Sequence, residues 1–194
     1  MAASTGIVET TRVPTPFEHP TNPNIRFWDL PGIGTTNYPN LKIFCEKVAI
    51  ETYDTFLIIC SKRFTNYDLE LAEKVQSMGK SFFFVRTQID NDMKGEKRKL
   101  KKKFSEEKTL KLLKDDLIQN LQNFSHGAEK IFLVSSFSPN KWDFDRLKKA
   151  ILDQLPSKQK ESLSFSMRSY SEDMVKEKID ILRSMCDRAL MIAN

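Results

Sequence analysis

The sequence predicts an α/β fold: a mostly parallel sheet with flanking helices, continued at the carboxyl end by a helical segment. Two observations carry this. Four short runs, Ile25–Leu30, Thr55–Cys60, Ser81–Arg86 and Lys130–Ser135, are aromatic and β-branched without apolar–polar alternation, the pattern of strands covered on both faces. Helical stretches lie between them, and alternation of strand and helix builds open α/β sheets.

Taken in order, the span Tyr38–Glu51 is the first helix candidate. Thr65-Asn66-Tyr67-Asp68 forms a capping box that opens a helix running to Met78, and Gly79 closes it. Ser105-Glu106-Glu107 caps a helix whose apolar positions are Leu110, Leu113, Leu117 and Leu121. Asp143 begins another, reaching Leu155 before Pro156. Residues 1–155 therefore read as one α/β domain. Residues 156–194 contain no further strand; Ser169-Tyr170-Ser171-Glu172 is another capping box, followed by Val175, Ile179, Leu182, Met185 and Leu190 at helical spacing. That segment is either a satellite helix packed on the sheet or the start of a helical domain.

The 194 residues are 40% hydrophobic and 29% charged, a globular balance rather than a disordered one. The net charge of +5 permits contact with phosphates or an anionic surface without requiring either. Cys45, Cys60 and Cys186 are widely spaced and read as reduced thiols of an intracellular protein. The amino-terminal MAASTGIVETT has neither a basic nor an apolar signal region, and the longest apolar run, Phe56–Cys60, is far too short to span a bilayer. A cytoplasmic location is expected, with peripheral membrane contact left open.

Three loops at predicted strand ends carry the functional signal. Asp29-Leu30-Pro31-Gly32 resembles the D-x-x-G loop of GTPases, in which case Asp29 would reach Mg²⁺ through a water and the Gly32 N–H would meet the γ-phosphate. Thr87-Gln88-Ile89-Asp90 stands where GTPases carry [NT]-K-x-D, the aspartate accepting two hydrogen bonds from guanine. Ser135-Ser136 ends the fourth strand, where a backbone N–H meets the guanine oxygen. Ligands bind open α/β sheets at such carboxyl ends. A phosphate cradle, G-x-x-x-x-G-K-[ST], is not among the six glycines. Gly79-Lys80-Ser81 imitates its last letters, but Lys74 occupies the first glycine position and the tripeptide leads from helix to strand rather than the reverse.

The segments TGIVETT, FWDLPGIGTTNYP, YDTFLIIC, RFTNYDLELA, KSFFFVRTQID and IFLVSS resemble the immunity-related (interferon-inducible) GTPase family over roughly residues 2–170. The resemblance implies a P-loop GTPase-type domain that binds GTP and GDP with Mg²⁺. It implies oligomerisation with other immunity-related GTPases through the G-domain face, and innate-immune action on membranes around intracellular pathogens and in autophagy. Nucleic acid is not an implied partner. By position, Thr5 to Thr11 would be switch I, with Glu9 on a position linked to catalysis and Thr5 and Thr11 near the metal and γ-phosphate. Asp29–Gly32 would be switch II, with Asp29 and Thr5 beside the metal. Ile33 stands where small GTPases place a water-orienting glutamine, which agrees with activation across a G-domain interface.

Two departures qualify the resemblance. Gln88 replaces the lysine of T-K-x-D, which weakens base binding without abolishing the guanine preference carried by Asp90. The chain also begins at switch I, so the cradle, and with it the strand that in the family lies between the D-x-x-G strand and YDTFLIIC, are expected to be missing. A missing central strand leaves a gap of ~9.6 Å, twice the usual strand spacing; the sheet must then close up, split or borrow a strand. The expected fold is thus an incomplete P-loop GTPase-type sheet, and catalysis by these residues alone is expected to be absent. Two functions follow as alternatives: part of a GTP hydrolase, or a non-catalytic fragment that docks on complete relatives and modulates them. The run Lys94–Lys103 is either a solvated basic loop and helix start or a membrane-lipid or nuclear-import patch. Trp28 and Trp142 read as packing residues.

Overall fold

Phe82-Phe83-Phe84-Val85 is apolar on both sides of the strand because it sits at the centre of a sheet. In the computed structural model the chain runs β1 (Thr15–His19), β2 (Asn22–Asp29), α1 (Leu41–Val48), β3 (Thr55–Cys60), α2 (Asn66–Ser77), β4 (Ser81–Arg86), α3 (Ile89–Leu100), α4 (Glu106–Asn120), β5 (Ile131–Leu133) and α5 (Phe144–Asp153). The structure describes residues 11–19, 22–121 and 127–155, and beyond them only 160, 163–164, 175–176 and 179–181. Strands β3, β4 and β5 form a parallel sheet with β4 in the middle. Phe82 and Phe84 point into the larger core, shared with Phe44, Val48, Ala72, Val75, Leu117 and Leu121 of the surrounding helices. Phe83 and Val85 point the other way, onto Phe132, Val134 and Leu147 of α5.

The expected two-sided cover holds for β4 and β5 but neither for β2, where Phe27 and Trp28 are exposed by 51% and 39%, nor for β3. Phe56 and Ile58 are buried, whereas Leu57 and Ile59 remain 40% and 58% exposed. The cause is position: β3 is a border strand of its sheet, and α5 packs against the β4–β5 part of that face. Its neighbour in the sequence order, β2, pairs among the described strands only with β1, antiparallel, from Thr15 opposite Asp29. Among the described strands the sheet is therefore split. The hairpin is held to the rest by side chains, including an edge-to-face contact of Trp28 with Tyr53 at 5.7 Å and packing of Leu30 and Ile33 against the main core. Strand β1 was not expected from the sequence.

The helix signals are realised closely. In α2, Thr65 N–H donates to Asp68 Oδ2 (2.7 Å) and Asp68 N–H to Thr65 Oγ1 (3.3 Å), the reciprocal capping box. Gly79 ends it in the left-handed region at φ +67°. Lys80 follows, and its ammonium donates to the carbonyls of Glu51 and Tyr53, so the tripeptide that mimics a cradle is occupied in packing the α2–β4 connection. Helix α1 starts later than expected, capped by Asn40 after Pro39, and stops at Ala49, which is left-handed at φ 53°. Asp143 accepts the Leu133 N–H (3.0 Å) and so anchors β5 rather than capping α5. The basic run is more ordered than a loop: it forms the end of α3 and a 3₁₀ turn at Lys101–Lys103.

Past α5, Leu163 is buried against Leu152 beside Ile25, Ile151 and Leu155. Val175 and Ile179 are exposed by 46% and 41%; the second capping box, Leu182, Met185 and Leu190 lie outside the described residues. Among the described residues no helix is long and apolar enough to cross a membrane. Cys45 and Cys60 are free thiols, and burial pushes Cys60 up to about 12, which makes it a poor nucleophile.

Candidate functional site

The parallel sheet brings the ends of β4 and β5 together, and with them the two predicted base loops. Thr87 is held to the end of β3, its N–H and Oγ1 both donating to the Cys60 carbonyl (2.8 and 3.2 Å). Gln88 then takes left-handed backbone angles, φ 62° and ψ 28°. This turns the chain from strand to helix at a cost of about 1–2 kcal/mol for a residue with a Cβ. Ile89 N–H returns to Val134 carbonyl of the β5 end (3.3 Å), so α3 begins directly beside Ser135.

That junction places Asp90 in the first turn of α3, where the helix dipole favours a carboxylate. Ser135 Oγ, fully buried, donates to Asp90 Oδ1 at 2.6 Å, and Lys94, one turn along α3, holds Oδ2 at 3.1 Å. Asp90 is consequently lowered below the ordinary carboxylate range, first by the Ser135 hydroxyl and also by Lys94, against the opposing effect of burial. Its side chain is 12% exposed. The result is an ionised, oriented carboxylate at the rim of the sheet, with Ser136 exposed beside it. Beneath it Arg86, buried, pairs with Asp92 at 2.9 Å and donates to the Lys62 carbonyl, bracing the same loop. Sequence reasoning missed Lys94 and Arg86; the Asp90–Lys94 interval of four residues was the available signal.

The second pair of predicted residues also meets. Thr11 Oγ1 donates to Asp29 Oδ2 at 2.5 Å, joining the end of the candidate switch I to the D-x-x-G loop across 18 residues. This is an oxygen-only set of one carboxylate and one hydroxyl. It fits Mg²⁺, which takes few protein oxygens and completes its shell with water and nucleotide phosphate. Gly32 is exposed and its backbone is unstrained; an added Cβ would meet only Thr35 Cγ2 at 3.8 Å. Gly34 is different: it has φ +87°, and a Cβ would stand 2.9 Å from the Tyr67 ring. Thr5 and Glu9 lie outside the described residues. Among the described residues no hydrogen bond or ion pair joins the Thr11–Asp29 pair to the Asp90–Ser135 pair. Trp142 donates its Nε1 to Glu106 (2.9 Å) and packs on the main core, and Trp28 packs on Tyr53.

The family model for interferon-inducible GTPases (IIGP) matches residues 1–193. The chain belongs to the interferon-inducible GTPase family. It is 37% identical over 182 residues to the mouse interferon-gamma-inducible GTPase 10, covering 94% of this chain and 43% of that protein. It is 40% identical over the same length to the mouse T-cell-specific guanine nucleotide triphosphate-binding protein 2, covering 44% of it. To the rat interferon-inducible GTPase 5 it is 32% identical over 192 residues, 99% of this chain and 41% of the relative. The chain thus spans less than half the length of these interferon-inducible GTPases.

Proposed function

We propose that these residues form the base-reading and switch parts of a guanine-nucleotide-binding GTPase that acts in innate immunity at intracellular membranes, residues 1–155 being a partial G domain and 156–194 the start of a helical one. The observation that carries the reading is Asp90, ionised and oriented by Ser135 and Lys94 at the joined ends of β4 and β5. A carboxylate so held accepts the two in-plane N–H donors of guanine, which adenine does not present. To do so it exchanges its Lys94 contact for the base. Thr11 and Asp29 would hold Mg²⁺, which when bound neutralises phosphate charge; Thr5 and Glu9 complete switch I.

Guanosine and adenosine at millimolar concentration, compared by saturation-transfer NMR, test the base site without its phosphates. Guanosine is expected to bind in preference, and Asp90→Asn to weaken it roughly 10–100-fold, the worth of one or two charge-assisted hydrogen bonds. Equal binding of the two nucleosides counts against the reading. Because Asp90 is lowered on folding, its contribution to stability is present above the unfolded carboxylate value of about 3.9. It is lost as pH falls through the lower folded value. The stability difference between wild type and Asp90→Asn should therefore vanish in strong acid.

The exposed Leu57 and Ile59 of β3 favour a second reading, in which the chain docks on complete relatives without catalysis. Six cations among the seven exposed residues Lys97–Lys103, with exposed Leu100 among them, support peripheral contact with anionic lipid. One sedimentation series tests both: the chain with a complete family member, and with phosphatidylcholine vesicles with and without phosphatidylserine. Remaining in the supernatant throughout would remove both ideas.

A further inference from the structure

Phe137 is 87% exposed, the highest value for a large apolar side chain among the described residues. It stands at the third position of a turn closed by Ser138 N–H to Ser135 carbonyl (3.1 Å). The turn is not loose. Phe137 N–H donates to Ser135 Oγ at 3.2 Å, and the same oxygen donates its proton to Asp90 at 2.6 Å. One serine hydroxyl therefore fixes both the base-reading carboxylate and the backbone from which the ring projects.

We propose that Phe137 is a stacking platform for the purine whose edge Asp90 reads; the inference rests on the base-site reading above. Recognition of a planar base has two parts. Its edge needs directional partners, which Asp90 supplies. Its faces need apolar cover, since an open face leaves the base largely solvated. Gln88 is poorly placed to give that cover, because its side-chain carbonyl accepts from Asn91 Nδ2 at 3.4 Å and is turned along α3. The Phe137 backbone N–H stands two hydrogen bonds from the carboxylate, and its ring is open to solvent. Guanine, edge-on to Asp90, then lies against the ring, and stacking adds affinity with little regard to which purine it is, leaving discrimination to Asp90.

Phe137→Ala and Phe137→Trp test this in the full chain, with guanosine as probe. Loss of the ring is expected to raise the dissociation constant about tenfold. Phe137→Trp is expected to restore it, and its fluorescence, relative to wild type, to be quenched as guanosine is added. Wild-type affinity in Phe137→Ala, with guanosine lost in Asp90→Asn, overturns the platform and leaves the base site standing. Failure of the wild type to bind guanosine at all overturns both. If Phe137→Ala leaves guanosine binding intact but abolishes sedimentation with a complete relative, the ring is a protein-docking anchor and the proposal is wrong.

Discussion

The purified 194-residue chain is expected to leave GTP unbound at micromolar concentration in equilibrium dialysis. The reasoning is one of lost contacts. A triphosphate is gripped chiefly by backbone N–H groups and a lysine of the G-x-x-x-x-G-K-[ST] loop, and no pair of glycines in this sequence has that spacing. The only lookalike, Gly79-Lys80-Ser81, has its lysine ammonium committed to the Glu51 and Tyr53 carbonyls. Each contact to a charged phosphate contributes roughly 1.5–3 kcal/mol. Losing about four removes ~6 kcal/mol or more, a factor on the order of 10⁴ in Kd. On the proposed reading Asp90, Ser135 and Phe137 would contact the base alone and could not offset that. Retention of GTP at micromolar levels would mean that an unidentified segment grips the phosphates, and would sink the account of the site as base-reading and switch parts alone.

Phe84→Ala should cost about 3–5 kcal/mol, the usual range for an aromatic truncated in a closed core, which is enough to unfold many domains of this size. Phe84 is fully buried at the centre of β4, edge-to-face with Phe64 at 4.8 Å and Phe82 at 5.4 Å, and those rings lose a partner as well as volume. Leu57→Ala, on the open face of β3, should cost less than about 1 kcal/mol by comparison, since its side chain is already 40% exposed. Urea midpoints of the two variants against wild type make the comparison. Similar losses for both would mean that the three-stranded sheet does not form the closed core described.

Much of this was legible in the sequence, for identifiable reasons. Strands β3 and β4 were read to the residue because their apolar runs are bounded by polar and turn residues, and α2 because a reciprocal cap marks its start. Strand β1 was missed: TPFEH is short, opens beside prolines and carries a glutamate, so its pairing with β2 is dictated by the partner rather than by composition. Helix α3 was read only as part of a basic loop and helix start over Lys94–Lys103, because only Ile89 and Met93 bury an apolar side chain; its charged remainder hides the period. The four-residue step from Asp90 to Lys94 is visible in the sequence, but that Ser135 would arrive on the other carboxylate oxygen depends on β5 lying beside β4. The exposure of Leu57 and Ile59 could not be read from TFLIIC, since a run of apolar residues carries no mark of which neighbours the sheet will supply.

The Ser135 hydroxyl ties together three residues on two loops, donating its proton to Asp90 and accepting the Phe137 N–H on the same oxygen. Losses measured singly at Asp90, Ser135 and Phe137 will therefore not sum. Removing the serine hydroxyl both frees the carboxylate and unpins the turn, so a double-mutant cycle between 90 and 137 should show coupling with Ser135 present and lose it in a Ser135→Ala background. Sequence variation at these positions is then expected to be concerted, each residue's tolerance set by the other two.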